Sequence, residues 1–220
     1  MTSEGGLRPA SRRSLADEVA DRIRAAILTG SYAPGDQLRE LELAAALDVS
    51  RGPIREALLH LEREGLVRSA WHRGATVMSL TDDDLAELSS LRATLEQLAV
   101  SELVLHATDD DFAAIDAAVT AMTRVTDTHA MAACDIAFHD AVYGAAHHRR
   151  LEQAWYAIRS QIHLFLLSRI GAKSDNYLAL IPAEHRELAQ VLRTRNADHA
   201  NELFAAHRKH ALDIVTRRTT

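Results

Sequence analysis

Asp135 and His139 stand four residues apart, so on a helix both side chains leave the same face one turn apart. His185, in Ala183-Glu184-His185, and His207, in Ala205-Ala206-His207, each fall beside apolar neighbours further along the chain. One carboxylate and three imidazoles form a sensible donor set for a divalent transition metal with positions left open for water or ligand. Zinc fits this set best, with nickel and manganese as alternatives. The Asp-x-x-x-His pair alone is a weak signal, because such pairs more often lie on a surface. If the four groups do meet, two functions are open: sensing a ligand at the metal, or activating water in a metal-dependent hydrolase. Hydrolysis needs a general base, and Glu184 is the one at hand. Adjacent helical residues diverge by about 100°, however, which makes the Glu184–His185 pairing poor. Apart from His72, the remaining histidines read as surface or packing residues.

A second set is cationic. Arg51 and Arg55 lie one turn apart near the start of an expected helix over 51–64, where a major-groove reader makes its base and phosphate contacts. Arg92, in Leu91-Arg92-Ala93-Thr94-Leu95-Glu96, can be read in two ways. It pairs with the carboxylate of a bound effector, or it forms a helix-face ion pair with Glu96 at i,i+4. Arg159 and Arg169 are further pocket candidates.

The elements that must carry these residues follow from apolar period and punctuation. Val19, Ile23, Ile27 and Leu28 recur at helical spacing from Leu15, and Gly30 stops that helix. Pro34-Gly35 marks a turn, and a short helix follows over 40–47. Ser50 is placed to cap the next helix, Pro53 is tolerated in its first turn, and Gly65 closes it. Small alanines at 44–46 allow the two helices to cross closely, with Val49 and Ile54 plugging the space between them. Leu66-Val67-Arg68 and Ala75-Thr76-Val77-Met78 read as a hairpin around Trp71-His72-Arg73-Gly74. Three helices and a hairpin make a winged helix-turn-helix.

Beyond it, Thr81 followed by Asp82-Asp83-Asp84 opens a helix with favourable acidic first-turn residues. Further helices are expected near 82–106, 109–126, 130–146, 149–171, 183–195 and 197–217, with Pro182 in a connection. The fold class is mainly α: a winged helix-turn-helix followed by an antiparallel all-helical bundle. The domain reading is an arm over 1–13, a DNA-binding head over 14–78, and an effector- and metal-binding domain over 79–220.

Hydrophobic residues at 47% and charged residues at 25% are ordinary for a soluble protein. No apolar run reaches the ~20 residues of a membrane span, the N-terminus has no signal-peptide core, and the single Cys134 suits a reducing cytoplasm. The net charge of −6 is unevenly placed. Residues 1–80 carry eleven arginines against eleven carboxylates, so all the excess acidity lies beyond them. A neutral head binds phosphate only through locally clustered arginines, which implies a modest salt dependence.

The string Val49-Ser50-Arg51-x-Pro53-Ile54-Arg55-Glu56-Ala57-Leu58, then Leu61, Glu64-Gly65-Leu66-Val67 and Arg73-Gly74-Ala75-x-Val77, resembles the GntR family of bacterial regulators. The closest likeness is to the branch with an FCD ligand-binding domain. The resemblance implies DNA contacts from Ser50, Arg51, Gly52 and Arg55 in the recognition helix and from His72, Arg73 and Gly74 in the wing. Many members also use an arginine where this chain has Leu41, and Arg39 is the nearby substitute. In FCD domains an aspartate, a histidine four residues later and two later histidines hold the metal, a pattern matched by Asp135, His139, His185 and His207. Arg92 matches a recurrent position on the first bundle helix. His147-His148 departs from the usual Gly-Asn. The resemblance implies a homodimer on a palindromic double-stranded operator, repression relieved by a small carboxylate or sugar-acid effector, and no enzymatic activity.

Overall fold

The computed structural model describes residues 14–70, 74–171 and 177–216. The first helix, α1 (Leu15–Leu28), starts at a capping box in which Ser14 and Asp17 satisfy each other's backbone N–H groups. Its apolar stripe of Val19, Ile23 and Ile27 packs against α3 (Arg51–Arg63). Between them lie β1 (Gln37–Leu38) and α2 (Glu40–Leu47). Asp48, in the left-handed conformation, ends α2 and turns the chain into α3. Ser50 occupies the N-cap position of α3, but its side chain makes no capping hydrogen bond and is exposed. Gly65 closes the helix with φ +69°, as expected.

The hairpin forms from β2 (Val67–Ala70) and β3 (Gly74–Val77), with Val67 opposite Val77 and Ala70 opposite Gly74. β1 joins the other edge of β3, giving an antiparallel sheet of order β1-β3-β2. That third strand is two residues long, too short to leave an alternation in the sequence. Gly74 is needed where it stands: its φ is +83°, and a Cβ there would lie 2.2 Å from the Leu38 carbonyl oxygen.

The bundle contains α4 (Asp82–His106), α5 (Asp109–Met122), α6 (Thr128–Ala145), α7 (Arg149–Gly171), α8 (Tyr177–Arg193) and α9 (Ala197–Thr216). Capping boxes at Thr81/Asp84 and Thr108/Asp111 open α4 and α5. α5 stops at Met122 and Asp127 caps α6, so the connection between them is wider than its residue types suggest. Pro182 is not in a connection. It lies inside α8, which begins at Tyr177 because Tyr177 and Ile181 bury on the bundle core beside Leu188 and Leu192. That burial outweighs the backbone hydrogen bond lost at proline.

Two apolar clusters fill the bundle. One gathers Phe138, Phe204 and Leu192, and the other gathers Tyr143, Trp155 and Phe165. α6 contributes to both, so a polar residue on α6 between Phe138 and Tyr143 is held in the middle of the bundle. The head is seated on α7: Leu164 belongs to the head's own core, and Ser160 Oγ donates to Glu64 Oε2 at 3.2 Å. Arg24 of α1 grips the same carboxylate with bonds of 2.8 and 2.5 Å.

Candidate metal centre and nucleic-acid interface

Between the two apolar clusters lies a polar layer. Asp135 and His139 project from α6, His185 from α8 and His207 from α9, and none is more than 9% exposed. One ring nitrogen from each histidine lies within 4.8 Å of the other two. Asp135 Oδ1 stands 3.6 Å from His139 Nε2, and Asp135 Oδ2 stands 3.6 Å from His185 Nε2. These separations exceed hydrogen-bond length, and both carboxylate oxygens and His185 Nε2 are buried without a hydrogen-bond partner. Buried polar atoms are nearly always satisfied, so these atoms stand as donors available to a bound group.

The outer ring nitrogens are tied back. His185 Nδ1 bonds the Ile181 carbonyl at 2.9 Å, and His207 Nδ1 bonds Glu184 Oε2 at 3.1 Å. Both rings therefore turn Nε2 inward with its lone pair free, the arrangement that orients imidazole ligands on a metal. Burial first, and the Arg92 charge second, push His139 well below the ordinary histidine range. Burial likewise lowers His207 against the pull of Glu184. Burial opposes ionisation of Asp135, but His185 and then the other imidazoles overcome it and hold the carboxyl below its usual range. A divalent cation requires an ionised carboxylate and unprotonated imidazole nitrogens, and the lowered Asp135, His139 and His207 tend to that state. The donor set fits a metal.

Arg92 makes the ion pair of its second reading, in a buried setting. It pairs with Glu96 at 3.3 Å, but the pair is buried and not on a solvated helix face, with Arg92 at 4% and Glu96 at 0% exposure. Arg92 Nη2 also donates to His139 Nε2 at 2.6 Å, so its guanidinium borders the inner face of the histidine cluster. Arg208 of α9 pairs with the other oxygen of Glu96. Together Arg92 and Arg208 line a narrow cleft whose other walls are Leu85, Leu88, Ser89, Ile162 and Phe165. Arg208 and the buried, unpartnered hydroxyl of Tyr143 are groups beside the site that sequence reasoning missed. Arg159 lies elsewhere: it is committed to Asp140 through bonds of 2.6–2.9 Å at the junction with the head. The side chain of Arg169 lies outside the described residues.

In the head, Ser50, Arg51, Gly52 and Arg55 share the exposed start of α3. A Cβ on Gly52 would meet nothing within 4 Å, so that surface is open to a close approach. Gly74 lies at the base of the wing, while His72 and Arg73 lie outside the described residues. Leu41 is 67% exposed, and Arg39 is paired with Glu42 at 2.9 Å.

Residues 15–77 match the model of the bacterial regulatory proteins of the gntR family, and residues 87–210, more than half of the chain, match the FCD domain. The chain belongs to the GntR family of bacterial regulatory proteins. Among GntR relatives, it is 30% identical over 204 residues to a probable D-xylose utilization operon transcriptional repressor of Paenarthrobacter nicotinovorans, covering 90% of this chain and 87% of the relative. It is 27% identical over 196 residues to the gluconate operon transcriptional repressor of Bacillus licheniformis, covering 86% and 79%. A putative GntR transcriptional regulator from Rhodococcus sp. RHA1 shares the fold with a TM-score of 0.81 at 24% identity, over 93% of this chain and 98% of that one.

The GntR assignment makes the chain a DNA-binding transcription regulator and not an enzyme. The hydrolase alternative falls with it. Glu184, its one candidate base, is spent on His207 Nδ1, on the outer side of that ring. No helix among the described residues is long and apolar enough to cross a membrane.

Proposed function

We propose that this GntR-type regulator is a homodimeric repressor whose head, over 14–78, reads a palindromic operator and whose bundle, over 79–220, senses a small carboxylate beside a divalent metal. In this reading α3 enters the major groove, Ser50, Arg51, Gly52 and Arg55 contact the DNA, and His72, Arg73 and Gly74 form the wing contact. Dimer symmetry sets the half-site spacing. Work on DNA in the cytoplasm accords with the reduced lone Cys134.

Asp135, His139, His185 and His207 hold the metal, zinc in the first instance, which supplies a Lewis-acidic centre for an oxygen of the effector. The observation that supports this is the set of buried atoms on Asp135 and His185 without hydrogen-bond partners, which a cation among them would satisfy. Arg92 and Arg208 provide guanidinium donors for a carboxylate, and the apolar walls of their cleft exclude water around it. A sugar acid suits a site with this polarity, and a relative named for a gluconate operon agrees in chemical class.

α7 supplies the coupling. Ile162 and Phe165 wall the effector cleft, while Ser160 and Leu164 on the same helix hold Glu64 and the head's core. An effector that fits one placement of α7 better than another shifts the head between DNA-competent and DNA-incompetent arrangements. The test is metal analysis of the purified chain followed by operator binding in the presence of gluconate and related sugar acids. One metal per chain and effector-dependent release of DNA are expected. A metal-free chain that neither takes up zinc nor answers to any carboxylate would remove the sensing mechanism.

A further inference from the structure

The first residue of α2 faces the recognition helix with a carboxylate. Glu40 Oε2 accepts from Arg51 Nη2 at 2.7 Å, from Arg51 Nε at 3.1 Å and from Arg55 Nε at 2.8 Å. Its side chain is 18% exposed, whereas Arg51 and Arg55 are 50% and 58% exposed. Among the described residues no other acid pairs with either arginine. Burial opposes ionisation of Glu40, but the two arginines more than compensate and hold its carboxyl below the usual range. A negative charge thus stands directly behind the two cations that face DNA.

The atoms engaged are informative. Glu40 takes the Nε–Nη2 edge of Arg51 and the Nε of Arg55, which leaves Nη1 and the outer Nη2 hydrogen of Arg51, and both terminal nitrogens of Arg55, for other acceptors. The Nη pair is a fork matched to two adjacent acceptors, such as O6 and N7 of guanine. An unrestrained arginine would turn its Nε–Nη edge onto any phosphate oxygen. With Nε occupied on both arginines, phosphate has to displace a carboxylate oxygen already in contact with them, whereas a guanine edge meeting the terminal nitrogens does not.

We propose that Glu40 is a specificity-determining positioning residue: it fixes Arg51 and Arg55 so that their terminal forks read guanine edges, and its charge weighs against binding to phosphate alone. This rests on the reading of α3 as the DNA-contacting helix. It also accounts for a head with no net positive charge. Sequence-independent attraction is kept low, and the affinity that remains is conditional on base geometry.

The test is the full-length Glu40→Gln variant, titrated against its operator and a scrambled duplex of equal length over a range of salt. Gln keeps the shape and removes the charge. Affinity for the scrambled duplex is expected to rise and its salt slope to steepen by about one. The operator-to-scrambled ratio is expected to fall about tenfold, the discrimination of roughly one bidentate base contact. The melting temperature separates this from mere loosening of the head. Glu40→Asp, which keeps the charge but withdraws it from the arginines, is expected to lower the ratio without steepening the slope. A ratio within about twofold of wild type for both variants, relative to the tenfold expected from one base contact, overturns the inference while leaving α3 as the DNA reader. Undiminished operator binding by Arg51→Ala with Arg55→Ala would instead overturn the reading beneath it.

Discussion

Removing Asp135 should separate metal binding from folding. In the metal-free chain the two oxygens of Asp135 and Nε2 of His185 are buried without partners. Each such atom costs about 1–3 kcal/mol of desolvation that nothing returns. A metal restores those bonds and binds only the folded arrangement. Zinc at a hundred times its dissociation constant then stabilises the fold by about 2.7 kcal/mol. In a chain of 220 residues, where 1 kcal/mol moves the melting temperature by about 2–4 °C, the upward shift should be about 5–11 °C. Asp135→Ala leaves three imidazoles and no charge to neutralise the cation, so its zinc-induced shift should shrink below about 2 °C. Thermal melts of both chains, each with chelator and with zinc, give all four values. A wild-type chain indifferent to zinc, or an Asp135→Ala chain with the full shift, would refute the reasoning.

Other outcomes follow from the same geometry. His163 is 4% exposed, and burial first, then Arg159, lower it to about 4 from the ordinary 6.5. The unfolded chain therefore takes up that proton as pH falls below 6.5 while the folded chain holds off until about 4. Stability on the order of 3 kcal/mol is lost across this window. Denaturant titrations from pH 7 to 4 should show the decline, and His163→Gln should flatten it. Gly74→Ala meets both a positive φ and the Leu38 carbonyl, so the head should lose more than about 2 kcal/mol, read from its own melting transition. Glu64→Ala cuts the tie from Arg24 and Ser160, and operator binding should then respond less to the effector while zinc uptake, measured by titration, is unchanged.

Local signals wrote much of this structure. Helix ends at Thr81, Gly65 and Leu47 were legible because capping and left-handed termini depend on residues within one turn. Asp135 and His139 were legible as a pair because i,i+4 spacing fixes a shared face, and the family pattern supplied His185 and His207. Spacing does not say whether a face is buried, so the Arg92–Glu96 pair could not be recognised as an interior pair. Arg208 and Tyr143 reach the site across other helices and leave no periodic mark. Glu40 meets Arg51 and Arg55 only through the crossing of α2 and α3, a tertiary fact. Pro182 misled because its neighbours' burial outweighs its helix-breaking tendency.

The central claim is that this regulator reads DNA with the start of α3 and does so through placed arginines. It is tested most directly by operator affinity at fixed salt for the Arg51→Ala, Arg55→Ala double variant. Two bidentate base contacts at about 1–3 kcal/mol each predict a loss between roughly thirtyfold and ten-thousandfold, with little change on scrambled DNA. An affinity equal to wild type on the operator would contradict it.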